Sequence, residues 1–266
     1  MKLPKITNQQ QAILRLIYRH RYLNRTQIQV LMHHKDKRRI IAWLKDLREK
    51  QYIEWIYDSK DFVNKSKPAI YYLGLNGIRH LRELEEYPTT ELRKRYKESA
   101  RTQAFIDKCI LLADCCINLQ SKSTNNLEYS YVTEPDYTDP DDEYSFLSEL
   151  RPHLCFVKHK TTKKAAIVTY YLLEVFDAAT PRYMVKKRLR DYVEYLDSGE
   201  WEAATGDSAS PTVLFVFSSI AELVYAKRRM YTLLEDTDGA DTIHILFATL
   251  ENIKRYGVTG LIWAKA

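Results

Sequence analysis

Apolar residues recur at helical spacing through the first third of the chain. Ile13, Leu14, Leu16 and Ile17 follow Thr7-Asn8-Gln9-Gln10, whose spacing is that of a capping box, so a first helix is predicted there. Asn24 is placed to cap a second, over Thr26 to Met32, that buries Ile28, Leu31 and Val30. The turn His33-His34-Lys35 leads to a third helix from about Asp36, with Ile40, Trp43, Leu44 and Leu47 on one side. Gln51 to Tyr57 and Ala69 to Leu73 are aromatic and branched as strands are, and the polar stretch Asp58 to Pro68 between them makes a hairpin. Ile78, Leu81 and Leu84 mark a further helix, which Pro88 ends. One long helix is expected from Thr90 to Leu119. Strands at Glu128 to Thr133, Leu154 to Lys158 and Ala165 to Phe176 come next, then a helix at Arg182 to Leu196, a strand at Val213 to Phe217, a helix at Ile220 to Leu234 and a strand at Ile243 to Ala248.

Charge divides the chain in two. Residues 1–82 carry 18 Lys and Arg against 6 Asp and Glu, a net +12; the remainder carries 23 against 29, a net −6. A concentration of positive charge on so small a segment is the footprint of a phosphate-binding surface. On the third helix Lys37, Arg38, Lys45 and Arg48 fall largely opposite the apolar side and Arg39 lies near the N-terminal end, with Lys35 in the preceding turn and Lys60, Lys65 and Lys67 in the hairpin loop. Three helices followed by a hairpin with a basic tip resemble the winged helix-turn-helix, and residues 1–88 are read as such a domain. The resemblance implies double-stranded DNA as partner, with the start of the third helix at base edges and the wing lysines along phosphates.

Residues 89–266 run helix, three strands, helix, strand, which resembles a restriction-endonuclease-like α/β domain, so the fold class is mixed α/β. In that resemblance the nucleases carry an Asp on the second strand and Glu-x-Lys on the third. Here His153 of Arg151-Pro152-His153 stands at the first position and Phe176 of Glu174-Val175-Phe176 at the lysine, so the metal site reads as degraded and no cofactor is expected. Glu174, Asp177 and Lys187, with Glu149 or His153, could instead form a migrated magnesium site of a DNA endonuclease; the competing reading pairs Glu174 and Asp177 with Lys187 or Arg190 to fasten helix to sheet. Asp136, Asp139, Asp141 and Asp142 lie in a stretch interrupted by Pro135 and Pro140, unlike an EF-hand loop.

Arg151-Pro152, Leu173-Glu174-Val175-Phe176-Asp177, the helix Lys186 to Tyr192 and Pro211 to Val216, taken with the N-terminal module, resemble the replication-relaxation family of plasmid and mobile-element proteins. That resemblance implies an accessory or regulatory role on DNA during replication or transfer, beside a relaxase or replication initiator, with the C-terminal domain as an interaction scaffold or homodimer interface. The alternatives are the metal-dependent nuclease and a protein-interaction adaptor. Cys109, Cys115, Cys116 and Cys155 contain no CxxC pair and are expected in cores. No long apolar run and no secretion-type start occur, so a cytoplasmic protein with no membrane partner is expected.

Overall fold

The computed structural model describes residues 2–57, 67–138, 142–162, 165–237 and 240–265 of a mixed α/β chain. Its contacts divide it into two compact units, Met1–Ile117 and Asn118–Ala266. The segment 89–117, assigned by the sequence to the second domain, lies in the first unit.

In the first unit, α1 (Asn8–His20) opens on the Thr7–Gln10 capping box, and its stripe Ile13, Leu14, Ile17 and Tyr18 is buried. A two-residue strand β1 (Leu23–Asn24) follows, and Asn24 closes a second capping box with Gln27 at the start of α2 (Arg25–Leu31). Ile28 and Leu31 of α2 are buried as expected. Val30 is not: it lies 42% exposed, because helical spacing turns it away from the side that Ile28 and Leu31 share. Asp36 caps α3 (Lys37–Glu49), accepting from the amide of Arg38 at 2.8 Å, and α3 buries Ile40, Leu44 and Leu47. Strands β2 (Ile53–Ile56) and β3 (Ile70–Leu73) form an antiparallel pair, and β1 adds to the other side of β3, giving the order β1-β3-β2.

Next, α4 (Leu75–Glu83) crosses so close to the backbone of Tyr52 that a Cβ on Gly77 would sit 2.2 Å from the Tyr52 carbonyl oxygen. The single helix expected from Thr90 is broken. A short α5 (Thr89–Lys94) passes into a 3-10 stretch, Arg95–Ala100, extended backbone at Arg101 follows, and only then does α6 (Gln103–Lys122) begin. The break brings Arg95 and Arg101 around the buried carboxylate of Glu98, with Arg21 from the end of α1. Burial and ion pairing here outweigh the helical propensity of the segment.

The second unit is a six-stranded sheet in the order β4-β5-β6-β7-β8-β9. Strands β4 (Leu127–Thr133), β5 (Leu154–Thr161) and β6 (Ala166–Val175) form an antiparallel meander. Helix α7 (Arg182–Asp197) and the short α8 (Glu200–Thr205) lead to β7 (Thr212–Phe217), parallel to β6; α9 (Ile220–Glu235) leads to β8 (Ile245–Thr249), parallel to β7. After α10 (Leu250–Tyr256), β9 (Ala264–Lys265) pairs antiparallel at the edge. Residues Leu172–Phe176 and Val213–Phe217 are buried throughout; the second run is apolar from end to end, as central parallel strands are, and the first is interrupted only by Glu174. One core holds Leu172, Phe176, Val213, Phe215, Phe217 and Phe247 of the sheet with Leu189 and Tyr192 of α7. Phe176 stacks on Phe217 at 4.9 Å, so the residue at the expected lysine position is a core aromatic. All four cysteines are free and buried, and burial pushes the Cys115 thiol up to about 12.

Candidate nucleic-acid interface and the Glu174 cluster

The outward side of α3 is set by its inward one. With Ile40, Leu44 and Leu47 fixed in the core, Lys37, Arg38, Arg39, Ile41, Ala42, Lys45 and Glu49 are left exposed. The first turn of α3 holds three cations and no acid, at the end of the helix where unpaired amides already place positive charge. Among the described residues the capping carboxylate of Asp36 is the acid beside them, 3.8 Å from Arg39. Lys45 is 3.8 Å from Glu49, a solvated pair worth little. Lys35 and Lys67 are exposed; Lys60 and Lys65 lie outside the described residues.

Arg48 is placed differently from its neighbours. Its guanidinium lies 3.8 Å above the ring of Trp55 on β2, which in turn stacks with Tyr57 at 5.3 Å. The contact ties the end of the helix to the hairpin. His34 packs edge-on against Trp43 at 5.0 Å, which gives that histidine a role in the turn.

In the second unit the three residues of the migrated-site reading do not converge. Glu174 sits on the α7-facing side of β6 between Leu172 and Phe176, buried, where its Oε2 accepts from Arg188 Nη2 at 2.9 Å and from the Tyr192 hydroxyl at 2.8 Å. His153 Nδ1 accepts the amide of Val175 at 3.0 Å and lies 3.5 Å from Glu174 Oε1. Burial alone would raise the Glu174 carboxyl, but His153, Arg188 and Tyr192 together hold it below the ordinary glutamate value. Asp177 folds back on its own turn, accepting from the amide of Ala179 at 2.9 Å and the hydroxyl of Thr180 at 3.0 Å. Lys187 reaches Asp191 at 3.1 Å on the exposed side of α7, and Glu149 and Arg190 are exposed.

A hard divalent cation needs several oxygens facing one point. Here one carboxylate faces inward and its oxygen is occupied by a guanidinium and a phenol, so the residues present do not fit such an ion. Among the described residues no group of three or more His, Cys, Asp or Glu gathers at metal-binding distance. The fastening of helix to sheet through Glu174 runs to Arg188, not to Lys187 or Arg190. The signal was in the spacing: Val185, Arg188, Leu189 and Tyr192 follow i, i+3, i+4, i+7 and share the inward side. Of the acidic stretch, Asp136 accepts from the amide of Thr133 at 2.6 Å and Asp142 from that of Tyr144 at 2.8 Å, both ordinary loop contacts; Asp139 and Asp141 lie outside the described residues.

These features define a mixed α/β protein in which a basic helix-and-hairpin unit precedes a mixed-sheet unit with a neutralised carboxylate on its third strand. The replication-relaxation family model matches residues 14–209, and the chain belongs to that family. Membership points to replication of plasmids or mobile elements. Among curated proteins none matches the chain at a significant level. No helix among the described residues is long and apolar enough to cross a membrane.

Proposed function

We propose that the chain is a DNA-binding accessory or regulatory protein of plasmid or mobile-element replication or transfer. In this reading the first unit is a winged helix-turn-helix, α3 its recognition helix and the β2–β3 hairpin its wing. The observation that carries it is the first turn of α3: Lys37, Arg38 and Arg39 stand exposed at the positive end of a helix with no acid in that turn. Such an arrangement costs stability in the free protein and is offset when an anion arrives, which a phosphate backbone supplies. The second unit is then a restriction-endonuclease-like sheet serving as a scaffold, for a relaxase, a replication initiator or a second copy of the chain.

The reading is tested by fluorescence anisotropy of the full chain on random-sequence duplex DNA across a salt series. Affinity should fall steeply with salt, because each phosphate-contacting cation releases counterions. Lys37→Ala with Arg38→Ala should weaken binding and blur sequence preference, whereas Lys67→Ala should weaken all sequences alike and lower the salt slope by about one. Absence of binding, or binding indifferent to salt, overturns the proposal.

A further inference from the structure

Between the cations on the outward side of α3 lie two apolar residues, Ile41 and Ala42. Ile40 is fully buried while Ile41, next in sequence, is 42% exposed, so the pair Ile40-Ile41 does not belong to one apolar stripe. A solvated helix face is ordinarily filled with long polar side chains, and a β-branched residue there loses rotamer freedom without gaining burial. Arg38 precedes Ile41 by three residues and Lys45 follows it by four, so all three share one face. Arg38 to Lys45 spans two turns, about 10 Å, or roughly three base-pair steps. The face therefore presents cation, apolar, cation along its length.

Resting on the reading of α3 as a recognition helix, we propose that Ile41, supported by Ala42, determines sequence specificity by packing against the C5-methyl group of a thymine in the major groove. The thymine methyl is the one apolar feature a base pair exposes there, and aliphatic side chains are its complement. Arg38 and Lys45 supply the charge that brings a polyanion against an apolar centre, which favours DNA over an apolar protein surface as the occupant.

The test uses the full chain. Duplexes are selected from a random pool with the wild type, and the selected duplex is resynthesised with deoxyuridine in place of thymidine, which deletes only the methyl groups. Wild type should bind the thymidine duplex more tightly by about fourfold per methyl contacted. Ile41→Ala should lose most of the preference, and Ile41→Val should keep more of it. Both variants should keep the wild-type Tm, since Ile41 lies outside the core. Equal wild-type affinity for the two duplexes, or a preference undiminished in Ile41→Ala, overturns the inference while leaving DNA binding intact. If the wild type retains no duplex, the proposed function falls and this inference with it. A protein rather than DNA on this face would show as that last outcome.

Discussion

Glu98 is one carboxylate serving three guanidiniums. Its Oε1 accepts from Arg21 Nε at 2.9 Å and lies 3.5 Å from Arg95 Nη1, and Oε2 lies 3.8 Å from Arg101 Nε. Arg95 and Glu98 are almost fully buried, and burial lowers the pKa of the Arg95 guanidinium. The aromatic rings of Tyr18 and Phe105 face these cations, at 5.1 Å from Arg95 and 4.3 Å from Arg21. Removing the Glu98 charge leaves the buried Arg95 guanidinium without its ion-pair partner, a loss far larger than that of a surface pair. Glu98→Gln, which keeps the shape, should destabilise the first unit by about 3–5 kcal/mol, read as a lower urea midpoint and faster amide exchange in α1. A change within experimental error would mean that hydration, not Glu98, balances the arginines. Nothing in the sequence announces this cluster: Arg21 and Glu98 are 77 positions apart, and local periodicity reads Thr90 to Leu119 as one helix.

At the scale of elements, α4 depends on a missing side chain. Gly77 lets the helix approach the Tyr52 carbonyl, and the obstructing atom is backbone that also accepts the Gly74 amide at 2.9 Å. Gly77→Ala should therefore cost roughly 1–3 kcal/mol by overpacking even though alanine is the better helix former, and a thermal scan showing Tm unchanged or raised would refute that. Most other elements were legible because capping boxes and apolar periodicity act locally: Thr7–Gln10, Asp36, and the strand and helix pattern after Leu154 all formed within a few residues of expectation. Strand β1 was not, since two residues carry no period and Leu23–Asn24 becomes a strand only by pairing with Tyr71 and Ile70. The Glu174 site was half legible. The strand placed Glu174, but its partners depended on which side of α7 faces the sheet, which is what separates Arg188 from its neighbours Lys187 and Arg190.

On the whole molecule the central question is whether the second unit does chemistry or only holds a surface. A nuclease gathers carboxylates around one point, where their mutual repulsion destabilises the fold until a metal binds; deleting one of them stabilises the protein. Glu174 has the opposite surroundings, a guanidinium and a phenol on the same oxygen and a histidine ring nearby. Deleting it leaves Arg188 without its ion-pair partner and Tyr192 with a buried hydroxyl to satisfy. Glu174→Ala should thus lower stability by about 3–5 kcal/mol in urea unfolding of the full chain, with the wild-type midpoint unmoved by magnesium or manganese. In parallel, supercoiled and linear DNA incubated with wild type and either metal should stay intact. Two results would reverse the reading together: cleavage that disappears in Glu174→Ala, and a midpoint that rises on that substitution or on adding metal. Both would require Glu174 to exchange Arg188 for a cation shared with Asp177, and hence a rearranged start of α7.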